Sequence, residues 1–147
     1  MLSKASKYAI TAVLYLANKA SEEKKLRSKE LADFLDIPAP FLAKTLQELT
    51  KKDIISSVKG PHGGFYLTEI NKKKSLYNLI DCLDDIEKFN QCYLGQPDCS
   101  DDKPCVVHNL YKPFKEKLIK KLKEKTIIEM ATEYAESDHS LEMINYK

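Results

Sequence analysis

The chain has 147 residues, enough for one sizeable core and a small second lobe but not for two large domains. Its 43% hydrophobic and 31% charged content is that of an ordinary globular protein, and no apolar run approaches the roughly 20 residues a membrane-spanning helix needs. A formal net charge of +2 names no partner, but its distribution is uneven: eleven Lys or Arg against eight acids from Met1 to Asn71, seven acids against Lys88 from Asp81 to Asp102, and seven lysines against two glutamates from Tyr111 to Lys125. An acidic segment thus separates two basic ones, which implies that different regions meet different partners.

In chain order, Ser3 can cap a first helix to about Ala20, with Tyr8, Ala12, Tyr15 and Leu16 on one face. Nothing in this stretch resembles a signal peptide, so a reducing, cytoplasmic setting is expected. Ser28 reads as the N-cap of a short helix through Leu35, broken by Asp36, Ile37 and Pro38. Pro40 suits the first turn of a third helix to about Lys51, with Phe41, Leu42, Leu46 and Leu49 on the buried stripe. Two such helices around a tight turn form a helix-turn-helix over about 28–51. Ile54, Ile55 and Val58, then Phe65 to Leu67, read as two short strands around Lys59-Gly60-Pro61-His62-Gly63-Gly64, a basic hairpin over about 54–67. A hairpin placed directly after a helix-turn-helix is a wing.

The fold class expected is therefore mostly α with a small β-hairpin: a winged helix in residues 1–71, then a helical region over 72–136 that contains a loop at 84–107, and a tail over 137–147 without clear period. Ser75 can cap a helix to about Leu83, with Leu76, Leu79, Ile80 and Leu83 inward and Cys82 as a buried structural thiol. Beyond the loop, Val107, Leu110, Phe114, Leu118 and Leu122 trace one stripe of a long lysine-rich helix, suited to its own domain or to a partner helix. Thr126 and Glu129 form a capping box for a last helix through about Glu136.

The loop carries the chemistry. Cys92, Cys99, Cys105 and His108 are separated by six, five and two residues in a stretch rich in Gly, Pro and Asp. A loop can fold soft ligands around a metal. Disulfide exchange and bystander thiols are the competing readings, and three thiolates with one imidazole suit tetrahedral zinc as well as a 2Fe-2S cluster. The residues expected to meet DNA are Ser28 at the start of the second helix, then Ala39, Pro40, Lys44 and Thr45 near base edges or phosphates. Ala43 offers a methyl group to thymine. Lys59 and His62 on the wing complete the set, with Gly63 and Gly64 allowing close backbone approach. An enzyme is not expected, because no nucleophile–base arrangement, HExxH or phosphate loop is present.

The segments Leu2 to Ala9, Ile37 to Lys44 and Ser57 to Phe65, together with the three-cysteine loop, resemble in order and spacing the Rrf-two family of bacterial transcription regulators, over nearly the whole chain to about Ala135. The loop resembles that of the cluster-binding, IscR/NsrR-like members. The resemblance implies a homodimer built on the long helix through Leu110, Phe114, Leu118 and Leu122, and two winged helices on a roughly palindromic double-stranded operator. It also implies an iron–sulfur cluster, 2Fe-2S ahead of 4Fe-4S, held by Cys92, Cys99, Cys105 and His108. The function implied is sensing of iron–sulfur status or of redox or nitrosative stress; the alternative is a thiol-switched or zinc-binding regulator without iron. Members that borrow an acidic first-helix residue from the partner would need a carboxylate near Tyr8, where Lys7 and Tyr8 stand. The first cysteine gap is one residue longer than the family's usual one.

Overall fold

The computed structural model describes residues 2–137, so the tail expected over 137–147 lies outside the described residues apart from Ser137. Helix α1 (Lys4–Lys19) begins where the sequence places it: the Ser3 hydroxyl accepts the Ser6 N–H at 3.1 Å. Its apolar residues are not confined to one stripe. Ala9, Ala12, Val13 and Leu16 are fully buried, with Leu14 and Ala17 nearly so, the pattern of a helix enclosed on several sides. Around it pack α2 (Ser28–Leu35), α3 (Ala39–Lys51), α5 (Leu76–Asp81) and α7 (Ile127–Glu136).

The turn between α2 and α3 puts Asp36 in the left-handed region, φ 55°, and Pro40 sits in the first turn of α3, where a missing N–H costs nothing. Leu42, Leu46 and Leu49 are wholly buried. Ser28 is not the N-cap of α2. Arg27 holds that position without a side-chain cap and Ser28 is the first helical residue, because pairing of Leu26 with Phe65 keeps the chain extended through Arg27.

Strands β1 (Ser56–Val58) and β2 (Gly64–Tyr66) form an antiparallel hairpin with Ser56 opposite Tyr66 and Val58 opposite Gly64. Leu26 adds a third segment at the free side of β2, exchanging two backbone hydrogen bonds of 3.0 and 2.7 Å with Phe65. The hairpin's base is fixed by the buried Asn71. Its Oδ1 accepts from the Ser56 hydroxyl at 2.8 Å and the Thr68 N–H at 2.9 Å, while Nδ2 donates to the Asp53 carbonyl at 2.9 Å. Asn71 lies in α4 (Glu69–Lys72), a single turn closed by a capping box with Thr68.

Ser75 caps α5 as expected, accepting the Asn78 N–H at 3.1 Å. The segment after it is not loop throughout: Ile86–Asn90 is a 3-10 turn whose Ile86 and Phe89 are buried with Ile80 in a second small core. Leu118, Ile119 and Leu122 of α6 (His108–Glu124) pack on this core, yet no residue of α6 is fully buried. Helix α7, capped by Thr126 at 3.2 Å from the Glu129 N–H, returns to α1, where Ile127 and Ala131 are wholly buried. The chain region after residue 72 therefore completes the core begun by the first. No helix among the described residues is long and apolar enough to cross a membrane.

One polar clasp joins the start of the cysteine segment to α1. The Asp84 carboxylate accepts from the Ser3 N–H at 3.1 Å, the Ser3 hydroxyl at 2.8 Å, the Ser6 hydroxyl at 2.5 Å and Lys88 at 3.3 Å. Partial burial works against its charge, but the Ser6 and Ser3 donors outweigh that and hold the carboxyl at about 2. The depressed value contributes stability that is complete above 3.8, the ordinary carboxylate value, and is lost as pH falls toward 2. Denaturant unfolding measured against pH should show the native chain losing about 1–2 kcal/mol more than Asp84→Asn across that window. Parallel pH profiles would remove the clasp from the account.

Candidate functional site

A series of tight turns draws the cysteine segment together. The Gly95 N–H donates to the Cys92 carbonyl at 2.9 Å with Gly95 at φ 75°, the Cys99 N–H to the Gln96 carbonyl at 3.3 Å, and the His108 N–H to the Cys105 carbonyl at 3.1 Å. As a result the sulfurs of Cys92, Cys99 and Cys105 all lie within 4.8 Å of one another, Cys92 and Cys105 being 3.6 Å apart. His108 opens α6 and turns its Nδ1 to the Cys99 sulfur at 3.4 Å. Its Nε2 meets Asp101 Oδ1 at 2.8 Å, and Lys112 meets Asp101 Oδ2 at 2.8 Å. Lys112 and His108 hold the Asp101 carboxyl below its usual range.

The thiols differ electrostatically. Desolvation raises Cys92, but N–H groups of Gln96 and Leu94, with the neighbouring thiols, bring it from 9.0 down to about 7. At Cys99 the Cys105 N–H favours the thiolate, while desolvation and the two adjoining thiols outweigh it and push the group up. Cys82 stands apart. It ends α5 half-buried rather than buried, packs against the main core, and burial pushes its thiol up. Three soft donors with an imidazole beside them fit a tetrahedral metal or an iron–sulfur cluster, since thiolates and a neutral imidazole are the ligands both take.

A second site lies on the winged helix. A groove of about 640 Å³ runs between the start of α2, the C-terminal half of α3 and the wing, lined among others by Ser28, Gln47 and Thr50. Its charged lining residues are Arg27, Lys29, Lys51 and Lys59, all basic. Arg27 also donates to the Pro61 carbonyl at the wing tip, tying helix start to wing. Of the residues the sequence proposes for DNA, Ser28, Lys59, Gly63 and Gly64 line this groove, whereas Ala39, Pro40, Lys44 and His62 are exposed outside it and Ala43 is half-buried.

Thr45 departs from that expectation, and the two glycines acquire a structural role of their own. Thr45 is buried at 5% exposure beside Leu46, because it falls on the inward face of α3 between Leu42 and Leu49, so it offers no side chain to DNA. Gly63 is buried, and a Cβ there would lie 2.0 Å from the Val58 carbonyl oxygen. At Gly64 a Cβ would lie 2.8 Å from the Leu26 carbonyl oxygen. Both glycines are required by the hairpin's own close approaches. Sequence reasoning left Arg27, Lys29 and Gln47 out of the set; the signal available was the basic pair flanking Ser28 at a helix start. It also left out Asp101, which nothing local connects to His108.

The stripe on α6 divides. Leu118 and Leu122 are partly covered by the chain's own second core, while Leu110 and Phe114 are 77% and 53% exposed. Tyr93 and Leu94 following Cys92 and Val106 following Cys105 are exposed as well, and Tyr111 links the Tyr93 and Phe114 rings, so apolar side chains adjoin the cysteine cluster.

A helix-turn-helix with a paired wing and a groove whose charged residues are all basic defines a DNA-binding transcription regulator. The chain belongs to the Rrf2 (Rrf-two) family, described as iron-dependent transcriptional regulators, which it matches over residues 2–133. A helix-turn-helix-type transcriptional regulator of Aquifex aeolicus is 36% identical over 114 residues, covering 76% of this chain and 78% of the relative. The regulator IscR of Klebsiella pneumoniae is 26% identical over 117 residues, covering 80% and 71%. Among solved structures, CymR, the global cysteine regulator of B. subtilis, superposes with a TM-score of 0.71 at 17% identity over 90% of this chain and 97% of its own. IscR of T. potens gives 0.68 at 20% identity over 95% and 92%. These relatives are transcription regulators, not enzymes.

Proposed function

We propose that the chain is an iron–sulfur-responsive regulator, a homodimer that reads a two-fold operator with its winged helices and holds a cluster through Cys92, Cys99, Cys105 and His108. The observation that carries this reading is the convergence of three thiols with a histidine Nδ1 facing one of them, next to a DNA-binding fold. A cluster held there supplies a redox-active centre that oxidants and iron supply can alter. The chain's own residues do the rest. Arg27, Lys29, Lys51 and Lys59 neutralise phosphates, and Ala39, Pro40, Ala43 and Lys44 at the start of α3 are available to base edges. Asp84 fastens the start of the cysteine segment to α1, and His108 fastens its end to α6. A change in the order of that segment therefore reaches both the winged helix and the proposed dimer helix.

A second reading has an observation of its own. The Cys92 and Cys105 sulfurs at 3.6 Å are placed for a thiol switch, and a neighbour in fold is a cysteine regulator. The cluster reading uses Cys99 and His108 as well, which a two-thiol switch leaves idle; zinc would use all four but give no colour. Anaerobically purified protein should be brown, and replacing Cys92, Cys99 or Cys105 with alanine should abolish the visible absorbance while Cys82→Ala keeps it. A colourless protein loaded with zinc, or loss of colour in Cys82→Ala, contradicts the assignment.

Leu110 and Phe114, large apolar side chains left exposed on a helix with no fully buried residue, support the dimer. Leu118 is the wrong place to test it, since it packs on the chain's own second core. Sedimentation at micromolar concentration should find wild type dimeric and Phe114→Asp monomeric with an unchanged circular dichroism spectrum. A monomeric wild type removes the proposed dimer.

A further inference from the structure

Asp101 stands on the solvent side of His108 and the thiols on the other. The imidazole is largely covered, at 14% exposure against 66% for the Asp101 side chain, with Nε2 turned to the carboxylate at 2.8 Å and Nδ1 to the Cys99 sulfur at 3.4 Å. A neutral imidazole carries one N–H and one lone pair, and an ionised carboxylate can only accept. In the neutral ring the short Nε2 contact therefore requires the proton on Nε2 and leaves Nδ1 bare. The opposite tautomer would set a nitrogen lone pair against a carboxylate oxygen. Lys112, one helical turn beyond His108 on α6, holds the other Asp101 oxygen at 2.8 Å. The carboxylate is thus gripped at both oxygens by two residues of one helix turn, which fixes its direction although it belongs to the loop.

We propose that Asp101, steadied by Lys112, is a positioning residue that fixes His108 as the Nε2-protonated tautomer and aims its Nδ1 lone pair at the three-thiol centre. The purpose rests on the cluster reading above; the tautomer is a property of the chain itself. Carboxylates in this relation to a ligating histidine orient the ring and raise its basicity, and losing one weakens metal affinity about 10–100-fold. An amide in its place could donate to Nε2 as readily as accept from it, so Asp101→Asn removes the discrimination while keeping size and shape. Asp101→Glu restores the charge and hydrogen-bond sense.

The test uses the full chain, metal-free and reduced, above the pH at which imidazole protonates. Long-range proton–nitrogen NMR should show His108 protonated on Nε2 in wild type, mixed or inverted in Asp101→Asn, and largely returned in Asp101→Glu. Titration with cobalt(II) alone should show thiolate-to-metal absorption in all three, with affinity about 10–100-fold weaker in Asp101→Asn only. An Nδ1-protonated His108 in wild type, or a tautomer unmoved by Asp101→Asn, overturns the proposal whatever the protein binds. If the tautomer follows Asp101 but His108→Ala leaves cobalt affinity unchanged, the tautomer assignment stands and the ligand reading of His108 falls.

Discussion

The structure depends most on α1 being enclosed. Ala9, Ala12, Val13 and Leu16 are fully covered because α2 and α3, α5 and α7, and the wing strand β2 all approach this helix. Its small residues at 9, 12 and 17 let those elements come close, and the apolar area removed from water there is the main stabilising term, each buried leucine contributing about 1.5–3 kcal/mol. Because α7 closes this core from the far end of the chain, the DNA-binding fold is not independent of the helical region that follows it. The Asn18 amide, donating to the Ala131 carbonyl at 3.0 Å, marks the same junction in polar terms.

That arrangement gives a physical route between the two sites. The basic groove is built from the starts and ends of α2, α3 and the wing, all seated on α1; the thiol centre hangs between the Asp84 clasp on α1 and the first turn of α6. The acidic character of residues 81–102 disfavours contact with DNA phosphates, and on the proposed reading the cysteine segment acts through α1 and α6. A coupling of about 1–3 kcal/mol between such sites changes affinity roughly 5–150-fold, which requires only a small difference in how α1 and α6 are held.

Much of the fold was legible in local chemistry. Ser3, Pro40, Ser75 and Thr126 each mark a helix start by a hydrogen bond or a missing one, and the Gly-rich turn after Val58 marks the wing. What was not legible depends on contacts between distant segments. Leu26 becomes a strand partner only because Phe65 arrives beside it, and this moves the start of α2 past Arg27. Thr45 is ambiguous in polarity and is buried by its position on α3, whereas Gly63 and Gly64 are also required by the close approach of the Val58 and Leu26 carbonyls. At the thiol site, spacing and composition indicated which residues gather; the Asp101–His108 contact needed the folded loop, since an aspartate among several in an acidic run carries no mark of its partner.

On the proposed reading the groove meets DNA directly and the thiol segment acts on it from a distance. Operator affinity of Lys59→Ala and Cys92→Ala, titrated against salt on one duplex, tests this most directly. Lys59→Ala should flatten the dependence of log affinity on log salt by up to about 0.9, the loss of one neutralised phosphate, while Cys92→Ala shifts affinity at unchanged slope. A flattened slope in Cys92→Ala with an unaltered one in Lys59→Ala would mean that the two faces have been assigned the wrong way round.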